Sequence, residues 1–246
     1  MTESGGLRPA APGRLLASGR AADVYDIGDG RVVRRYRERR HRPRHEERVM
    51  RHVAAHDVAV PAVHDLGPGH DPETDIVMDR VDGPTMLEDL ERRPWMLVAH
   101  ARLLARLLRA VAAVPAPVWM QPAGRPDDAA DSARRPVGVV HLDLHPMNVI
   151  VSPHGPVVID WTNATGAPAG FDAAMSYVLM ATYEVDGPRD RFGQQLMVSL
   201  FRRAVGRAEV DAFLVAACDH RLADVGVTPG ERVNVAALRS RARPRR

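Results

Sequence analysis

The chain has 246 residues, of which 45% are hydrophobic and 26% are charged, and its formal net charge is +3. These values are typical of a globular protein, and the length suffices for one large domain or two smaller lobes. The sequence contains no apolar run of 18 residues, so we predict no membrane span, and its first 14 residues lack the apolar core of a signal peptide. The one cysteine, Cys218, cannot form an intrachain disulfide, so we expect a cytoplasmic protein, and its apolar neighbours at 215–217 predict a buried thiol.

The basic residues are unusual because all 34 of them are arginines. Many of them lie in residues 31–51 and in the C-terminal segment 239–246. A basic tail can bind nucleic acid, but no nucleic-acid motif or aromatic-rich basic surface accompanies this one. We interpret 239–246 as a solvated, disordered tail and expect no nucleic-acid partner.

The first third of the chain has the pattern of a β-rich lobe. Residues 1–14 are rich in Gly and Pro and are expected to be disordered. Apolar segments separated by tight Gly turns predict an antiparallel meander, and a partly apolar stripe predicts one helix. The elements are predicted as strand–loop–strand over 15–27, a strand over 31–36, a helix over 42–56, and strands over 58–63 and 74–78.

Helical patterns dominate the rest of the chain. Residues 79–84 contain Gly and Pro and separate the two patterns, so we place the N-lobe at 15–82 and the C-lobe at 83–238. Residues 115–136 lack periodicity and are predicted to form a surface loop. Two apolar runs around the turn-forming residues 152–156 predict a β-hairpin. Helices are predicted over 85–90, 95–114, 171–183, 189–205, 209–223 and 231–238, which makes the fold class α+β with two lobes.

The predicted hairpin brings three polar side chains to one end: Asp143 before its first strand, Asn148 at the start of that strand, and Asp160 after the second strand. Two of them can hold Mg²⁺, which prefers a few protein oxygen ligands and leaves room for phosphate and water. The third, Asp143, is then available to accept a proton, as phosphoryl transfer requires. A zinc site built on His141, Asp143 and His145 is the less favoured alternative, because such sites usually need further ligands.

The segment His141-Leu142-Asp143-Leu144-His145-Pro146-Met147-Asn148, followed by Ile159-Asp160-Trp161, resembles the aminoglycoside phosphotransferase and choline kinase-like family. The family pattern is H-G-D-x-x-x-x-N and then I-D-W or I-D-F, and the resemblance extends over about residues 15–225. It implies a two-lobed, protein-kinase-like fold and the transfer of a γ-phosphoryl group from ATP or GTP to a hydroxyl of a small molecule. Aminoglycosides, choline-like alcohols and sugars all remain possible acceptors. A catalytically weak nucleotide-binding module is the alternative function.

The resemblance also implies roles for individual residues. Asp143 is the expected catalytic base, Asn148 and Asp160 are the expected Mg²⁺ ligands, and His141 and Asp172 are expected to brace the loop. The residues expected to bind the nucleotide are Ser18, Gly19 and Arg20 in the loop 18–22, the basic Arg34 with its partner Glu46, and Met78, Asp79 and Val81 in the connector.

Two positions depart from the family pattern. The lysine expected on the third strand is replaced by Arg34, with Arg35 as the alternative, and its acidic partner is Glu46 or, less favoured, Glu47. Arginine keeps the charge but is longer and planar. Leu142 replaces the family's glycine, which is tolerable if its φ angle is negative.

Overall fold

The computed structural model describes residues 12–38, 43–120 and 137–242. Three predicted segments lie partly outside these residues: the disordered N-terminus 1–14, the loop 115–136 and the tail 239–246. The chain forms two compact units: Met1–His52 with Pro61–Val81, and Val53–Val60 with Asp82–Arg246.

The first unit is built on a five-stranded antiparallel sheet in the order β1-β2-β3-β5-β4, together with helix α1. The central strand β3 pairs Val33 with Tyr25 on one side and with Val77 on the other. Val33 is fully buried and Val32 beside it is 5% exposed, so both faces of β3 are covered at this point. The elements are β1 (Arg14–Ser18), β2 (Ala22–Gly28), β3 (Arg31–Tyr36), α1 (Pro43–Ala54), β4 (Val63–His64) and β5 (Asp75–Asp79).

The strand predicted over 58–63 is wrong except at its last residue, because β4 begins at Val63. Pro61 has no N–H group to give to a strand ladder. The residues before it belong to the second unit, where the Ala59 carbonyl accepts a hydrogen bond from the Val158 amide at 3.0 Å. In this run Val58 and Pro61 are buried, whereas Ala59 and Ala62 are exposed, and the residues before Val63 do not belong to the sheet.

The second unit is mainly helical. The helix Ala169–Thr182 is apolar on nearly all sides, as expected for a helix at the centre of a core. Its Phe171 ring meets Phe213, on the helix Arg207–Ala223, edge-on with 6.4 Å between the ring centroids. The last helix ends at Ala242, so it extends four residues into the segment predicted as a disordered tail, where Arg239 pairs with Asp219. The helices are α2 (Met86–Arg92), α3 (Leu97–Ala112), α4 (Ala169–Thr182), α5 (Gly187–Val205), α6 (Arg207–Ala223) and α7 (Pro229–Ala242).

Two small antiparallel sheets complete the second unit. The predicted hairpin is present as β7 (Val149–Ser152) and β8 (Gly155–Val158). The other sheet, β6 (Val137–Val140) with β9 (Thr165–Pro168), was not predicted. In it, a Cβ atom on Gly138 would lie 2.1 Å from the Ala112 carbonyl oxygen, so only glycine fits there. Strand β6 leads into the loop before the hairpin, and β9 leads into α4.

The predicted α+β class is confirmed by this combination of a β-rich unit and a mainly helical unit. Cys218 is fully buried in the core of the second unit, and burial raises the pKa of its thiol to about 11. Within the part of the chain that the structure describes, no helix is both long and apolar enough to cross a membrane.

Candidate active site

The loop between β6 and β7 brings Asp143 and Asn148 together. The Asn148 Nδ2 atom donates to the main-chain carbonyl of Asp143 at 2.8 Å and lies 3.4 Å from the Asp143 Oδ2 atom. Residues Pro146–Asn148 form a short 3-10 turn, which His145 caps by accepting the Met147 amide at its Nδ1 atom, 3.3 Å away. The amide group of Asn148 is thus fixed from its nitrogen side.

The hairpin places Ile159, the residue before Asp160, opposite Asn148. The Ile159 amide donates to the Asn148 carbonyl at 3.0 Å, which extends the ladder one pair beyond Val149 and Val158. Asp160 follows directly, with a φ angle of 64°, and its Oδ1 atom accepts a hydrogen bond from the Thr162 hydroxyl at 2.8 Å. The amide and the second carboxylate therefore lie at the same end of the hairpin.

His141 ties the start of the loop to the end of β8. Its Nε2 atom lies 3.1 Å from the Ile159 carbonyl oxygen, and its Nδ1 atom accepts the Asp143 amide at 3.3 Å. The ring is fully buried against Trp161, with 4.7 Å between the ring centroids. Burial lowers the pKa of His141, so the ring is neutral near pH 7 and can donate at one nitrogen while it accepts at the other. Across the described residues, no group of three His, Cys, Asp or Glu side chains is arranged to hold a metal ion.

Asp172, in the first turn of α4, binds the start of the loop between β6 and β7. Its two carboxylate oxygens each accept one main-chain amide, that of His141 at 2.9 Å and that of Leu142 at 2.8 Å. The side chain is fully buried, and burial raises the pKa of Asp172 to about 6, although the two amide hydrogen bonds act in the opposite direction. Helix α4 therefore holds the backbone just before Asp143.

Leu142 has a φ angle of 62°, so the condition under which a leucine is tolerable here, a negative φ, is not met. Asp29, Asp57 and Asp160 are the other described non-glycine residues with positive φ, and aspartate tolerates this region better than leucine does. For leucine the strain is about 1–2 kcal/mol. The side chain is only 5% exposed and packs in the core cluster with Val140 and Phe171.

In the first unit, Arg34 and Glu46 form an ion pair between β3 and α1. The Arg34 Nε atom lies 3.4 Å from the Glu46 Oε2 atom, and the Glu46 side chain is almost fully buried. The Tyr36 hydroxyl donates to the same Oε2 atom. The Arg34 Cζ atom lies 5.3 Å from the centroid of the Tyr36 ring, within the range of a cation–π contact.

The two alternative residues have other partners. Arg35 points to the opposite side of the strand and grips Asp75 with its Nε and Nη2 atoms at 2.8 and 2.6 Å. Glu47 pairs with Arg51, one helical turn further on, at 3.0 Å. The structure thus pairs the two residues that the sequence favoured, Arg34 and Glu46.

The loop 18–22 is closed by its own hydrogen bonds. The Ser18 hydroxyl donates to the Asp23 carboxylate at 2.7 Å. The Gly19 amide donates to the Ala22 carbonyl at 2.9 Å, so this N–H group points into the loop.

Arg37 braces this loop and was missed by sequence reasoning. Its Nη2 atom donates to the Ser18 hydroxyl at 2.7 Å, and its Nη1 atom donates to the Arg20 carbonyl at 3.2 Å. Its main-chain amide donates to the Ala21 carbonyl at 3.0 Å. The sequence could have indicated this role only through position: Arg37 follows Tyr36, and Tyr36 pairs with Ala22 at the end of the loop.

The predicted connector begins inside strand β5. Met78 is 8% exposed, and the Asp79 amide donates to the Ala62 carbonyl at 2.9 Å. The Asp79 carboxylate lies 2.6 Å from the His64 Nε2 atom. Val81 ends the first unit. All the predicted nucleotide-binding residues therefore belong to the first unit, and Asp143, Asn148 and Asp160 belong to the second.

The β-rich and helical units, with an H-x-D-x-x-x-x-N loop and an I-D-W hairpin end, define a two-lobed protein of the protein-kinase-like class. The chain belongs to the phosphotransferase enzyme family, since the model of that family matches residues 12–135 and 121–213. It is thus a small-molecule phosphotransferase, as the resemblance implied. Comparison of the sequence with curated proteins gave no match.

Solved structures with the same fold are similar to this chain at low sequence identity. A thermostable mutant of aminoglycoside phosphotransferase APH(4)-Ia, in a ternary complex with AMP-PNP and hygromycin B, is 17% identical over 93% of this chain and 90% of its own, with a TM-score of 0.62. Amicoumacin kinase hAmiN, in complex with AMP-PNP, Ca²⁺ and Ami, is 14% identical over 93% and 86%, with a TM-score of 0.56. A choline/ethanolamine kinase family protein from Mesorhizobium loti is 14% identical over 95% and 87%, with a TM-score of 0.52.

Proposed function

We propose that this protein transfers the γ-phosphoryl group of ATP, or of GTP, to a hydroxyl group of a small molecule, with Mg²⁺ as cofactor. The observation that carries the proposal is the joint placement of Asp143, Asn148 and Asp160 at one end of the hairpin. Asn148 contacts Asp143 through its side chain and Ile159 through its main chain. Membership of the phosphotransferase family supports the same chemistry.

Asp143 is the proposed catalytic base. Its side chain is 25% exposed, so a hydroxyl group can reach it, and its Oδ1 atom lies 3.5 Å from the His145 Nε2 atom. In the proposed reaction, Asp143 accepts the proton of the acceptor hydroxyl as the acceptor oxygen bonds to the γ-phosphorus. The bond from that phosphorus to the bridging oxygen breaks, and the nucleoside diphosphate leaves. His141 accepts the Asp143 amide, and Asp172 accepts the two amides before it, so both residues fix the main chain at Asp143.

Asn148 and Asp160 are the proposed Mg²⁺ ligands, and their chemistry fits the ion. Mg²⁺ prefers oxygen ligands and binds through one or two protein side chains together with phosphates. The Asn148 side-chain nitrogen is engaged by the Asp143 carbonyl, which directs its amide oxygen away from the loop. When bound, the metal ion would neutralise charge on the nucleotide phosphates.

The first unit supplies the proposed nucleotide contacts. Arg34, set by Glu46, would grip phosphate oxygens through its planar guanidinium group. Residues 18–22, braced by Arg37, would cover the phosphates, and the backbone of the connector from Met78 to Val81 would meet the base. The AMP-PNP bound to the similar APH(4)-Ia and hAmiN structures supports nucleotide binding by this fold.

The proposed acceptor is an aminoglycoside-like or choline-like compound with a hydroxyl group. Hygromycin B in the similar APH(4)-Ia structure supports this choice. Two exposed acidic residues that follow α4, Glu184 and Asp186, could favour a cationic acceptor. Glu184 already accepts a hydrogen bond from the Thr228 hydroxyl at 2.8 Å, so a structural role is the alternative for it. A cytoplasmic location would place such an enzyme with its nucleotide.

An ATP-consumption screen over aminoglycosides, choline-like alcohols, amino alcohols and sugars tests the function. We expect Mg²⁺-dependent ADP release with at least one acceptor, and we expect Asp143→Asn to bind AMP-PNP normally while losing at least about a hundredfold in turnover. Near-full turnover by Asp143→Asn on the same acceptor would contradict the role of Asp143. If no hydroxyl compound were phosphorylated, the proposed phosphotransferase activity would be contradicted.

The second candidate is a nucleotide-binding module with little or no catalysis. Arg34 in place of lysine and the strained Leu142 next to Asp143 are the observations that favour it. Arg34→Lys separates the two candidates, because a large gain in turnover would mean that the natural residue limits catalysis. Tight binding of Mg²⁺ and AMP-PNP, with no turnover by either form, would support the binding module.

A further inference from the structure

His145 lies two residues after Asp143 and uses its two ring nitrogens for two different contacts. Its Nδ1 atom accepts the main-chain amide of Met147 at 3.3 Å, which caps the 3-10 turn Pro146–Asn148. Its Nε2 atom lies 3.5 Å from the Asp143 Oδ1 atom. The ring therefore connects the turn that carries Asn148 with the carboxylate of the proposed catalytic base.

The Met147 amide determines which nitrogen of His145 carries the proton. Because Nδ1 accepts a hydrogen bond, it presents a lone pair, and the neutral ring then has its hydrogen on Nε2. The Asn148 Nδ2 atom, 3.4 Å from Nε2, is itself a donor and already donates to the Asp143 carbonyl at 2.8 Å. Of these two neighbours of Nε2, only the Asp143 carboxylate can accept its hydrogen.

The two oxygens of the Asp143 carboxylate face two different donors. Oδ1 faces the His145 Nε2 atom at 3.5 Å, and Oδ2 faces the Asn148 Nδ2 atom at 3.4 Å. An aspartate has only a broad preference for the torsion angle of its carboxylate, so it does not fix the plane of that group by itself. A donor at each oxygen does fix it. Both distances are long for hydrogen bonds, and such contacts to a reacting group often shorten when substrates bind.

His141, on the other side of Asp143, holds a different part of the same residue. Its Nδ1 atom accepts the Asp143 amide at 3.3 Å, and its Nε2 atom lies 3.1 Å from the Ile159 carbonyl oxygen. His141 thus fixes the main chain of Asp143, whereas His145 faces the side chain. The side chains of His145 and Asp143 are 16% and 25% exposed, so their contact is partly shielded from water, which strengthens it.

We infer that His145 is a positioning residue for the proposed catalytic base. Its Nε2–H group, together with the side-chain amide of Asn148, holds the Asp143 carboxylate in one plane, so that the carboxylate meets the acceptor hydroxyl in a fixed orientation. The inference rests on the proposed function, in which Asp143 is the base. It goes beyond capping of the turn, because it assigns to His145 an effect on turnover and none on substrate binding.

Two substitutions in the full chain separate the cap of the turn from the contact with Asp143. In His145→Asn, the side-chain oxygen takes the place of Nδ1 and can cap the turn, but the side chain is too short to reach Asp143. In His145→Gln, the amide nitrogen takes the place of Nε2 and can donate to Asp143, but the Met147 amide loses its acceptor.

Steady-state kinetics with an acceptor found by the screen measures the two effects. We expect His145→Asn to lower kcat at least about tenfold, with the KM values of nucleotide and acceptor unchanged within about twofold. His145→Gln should keep kcat within about threefold of the natural value. The matched control is His154→Asn, in the exposed turn at the far end of the hairpin, which should change neither constant.

An unchanged kcat in His145→Asn would overturn the inference. Equal losses of kcat in the asparagine and glutamine variants would overturn it as well, because they would show a structural role alone. Thermal melting of each variant shows whether it is folded.

Nitrogen NMR of the natural protein with isotope-labelled histidine tests the tautomer without turnover. At about pH 8, where an ordinary imidazole is neutral, the signals that are missing from His145→Asn should show a proton on Nε2 and none on Nδ1. A proton on Nδ1 would overturn the inference. If the natural protein phosphorylated no acceptor, the proposed function would fail, and the NMR spectrum would still decide whether His145 can donate to Asp143.

Discussion

The backbone strain at Leu142 gives a prediction that reverses a common rule. Alanine is normally more stabilising than glycine, because glycine loses more conformational freedom on folding. At position 142 the φ angle is 62°, where any residue with a Cβ atom is strained. We therefore expect Leu142→Gly to be more stable than Leu142→Ala, although both are less stable than the natural protein.

The free energies of side-chain burial and of backbone strain decide how the two variants compare with each other and with the natural protein. Removing the side chain of Leu142, which is 5% exposed in the core cluster, should lower the free energy of unfolding by about 2–5 kcal/mol in the alanine variant. Glycine regains about 1–2 kcal/mol of strain and loses about 0.4–1 kcal/mol to the greater freedom of the unfolded chain. The glycine variant should thus exceed the alanine variant by about 1 kcal/mol. Burial outweighs strain, which explains how a leucine can occupy this position.

Urea unfolding of both variants, followed by circular dichroism, measures the difference. The control is Ala212→Gly, at an exposed position inside α6, where glycine should cost about 1 kcal/mol. If Leu142→Ala proved at least as stable as Leu142→Gly, the left-handed conformation, and with it the strain argument, would be refuted.

Three further predictions concern Asp172 beside the loop 141–148, the proposed Mg²⁺ ligand Asp160, and Arg37 beside the loop 18–22. Because folding raises the pKa of Asp172 from 3.8 to about 6, the folded state binds this proton more tightly. The natural protein should therefore gain stability relative to Asp172→Asn as the pH falls from about 7 to about 4, by on the order of 3 kcal/mol, and a pH-independent difference in unfolding free energy would contradict this. Asp160→Ala should abolish the Mg²⁺-dependent part of AMP-PNP binding in calorimetry with and without the ion, and an unchanged Mg²⁺ effect would remove Asp160 from the ligand set. Arg37→Ala should speed amide hydrogen exchange in residues 19–22 and weaken AMP-PNP binding severalfold, whereas Arg44→Ala, on the exposed side of α1, should do neither.

Local patterns carried most of the correct sequence predictions. The hairpin of β7 and β8 was predicted because its turn residues and apolar runs are adjacent in the chain. The long helix α3 was predicted from its apolar periodicity. In contrast, the two strands β6 and β9 are four residues each and pair across a long stretch of chain, so neither carries a pattern of its own. The apolar run from residue 58 was misassigned because its packing partner, at the end of β8, lies far along the chain.

The sequence by itself determined the proposed catalytic motif of this protein, because the spacing from His141 to Asn148 and the I-D-W end of the hairpin are local features. It also selected Arg34 and Glu46, though not their geometry. Only the tertiary structure decided the backbone angle of Leu142, the two main-chain amides that Asp172 accepts, and the contact of Tyr36 with the ion pair. Each of these depends on where separate elements pack, α4 against the loop and α1 against β3, and a packing contact leaves no periodic pattern in a single chain.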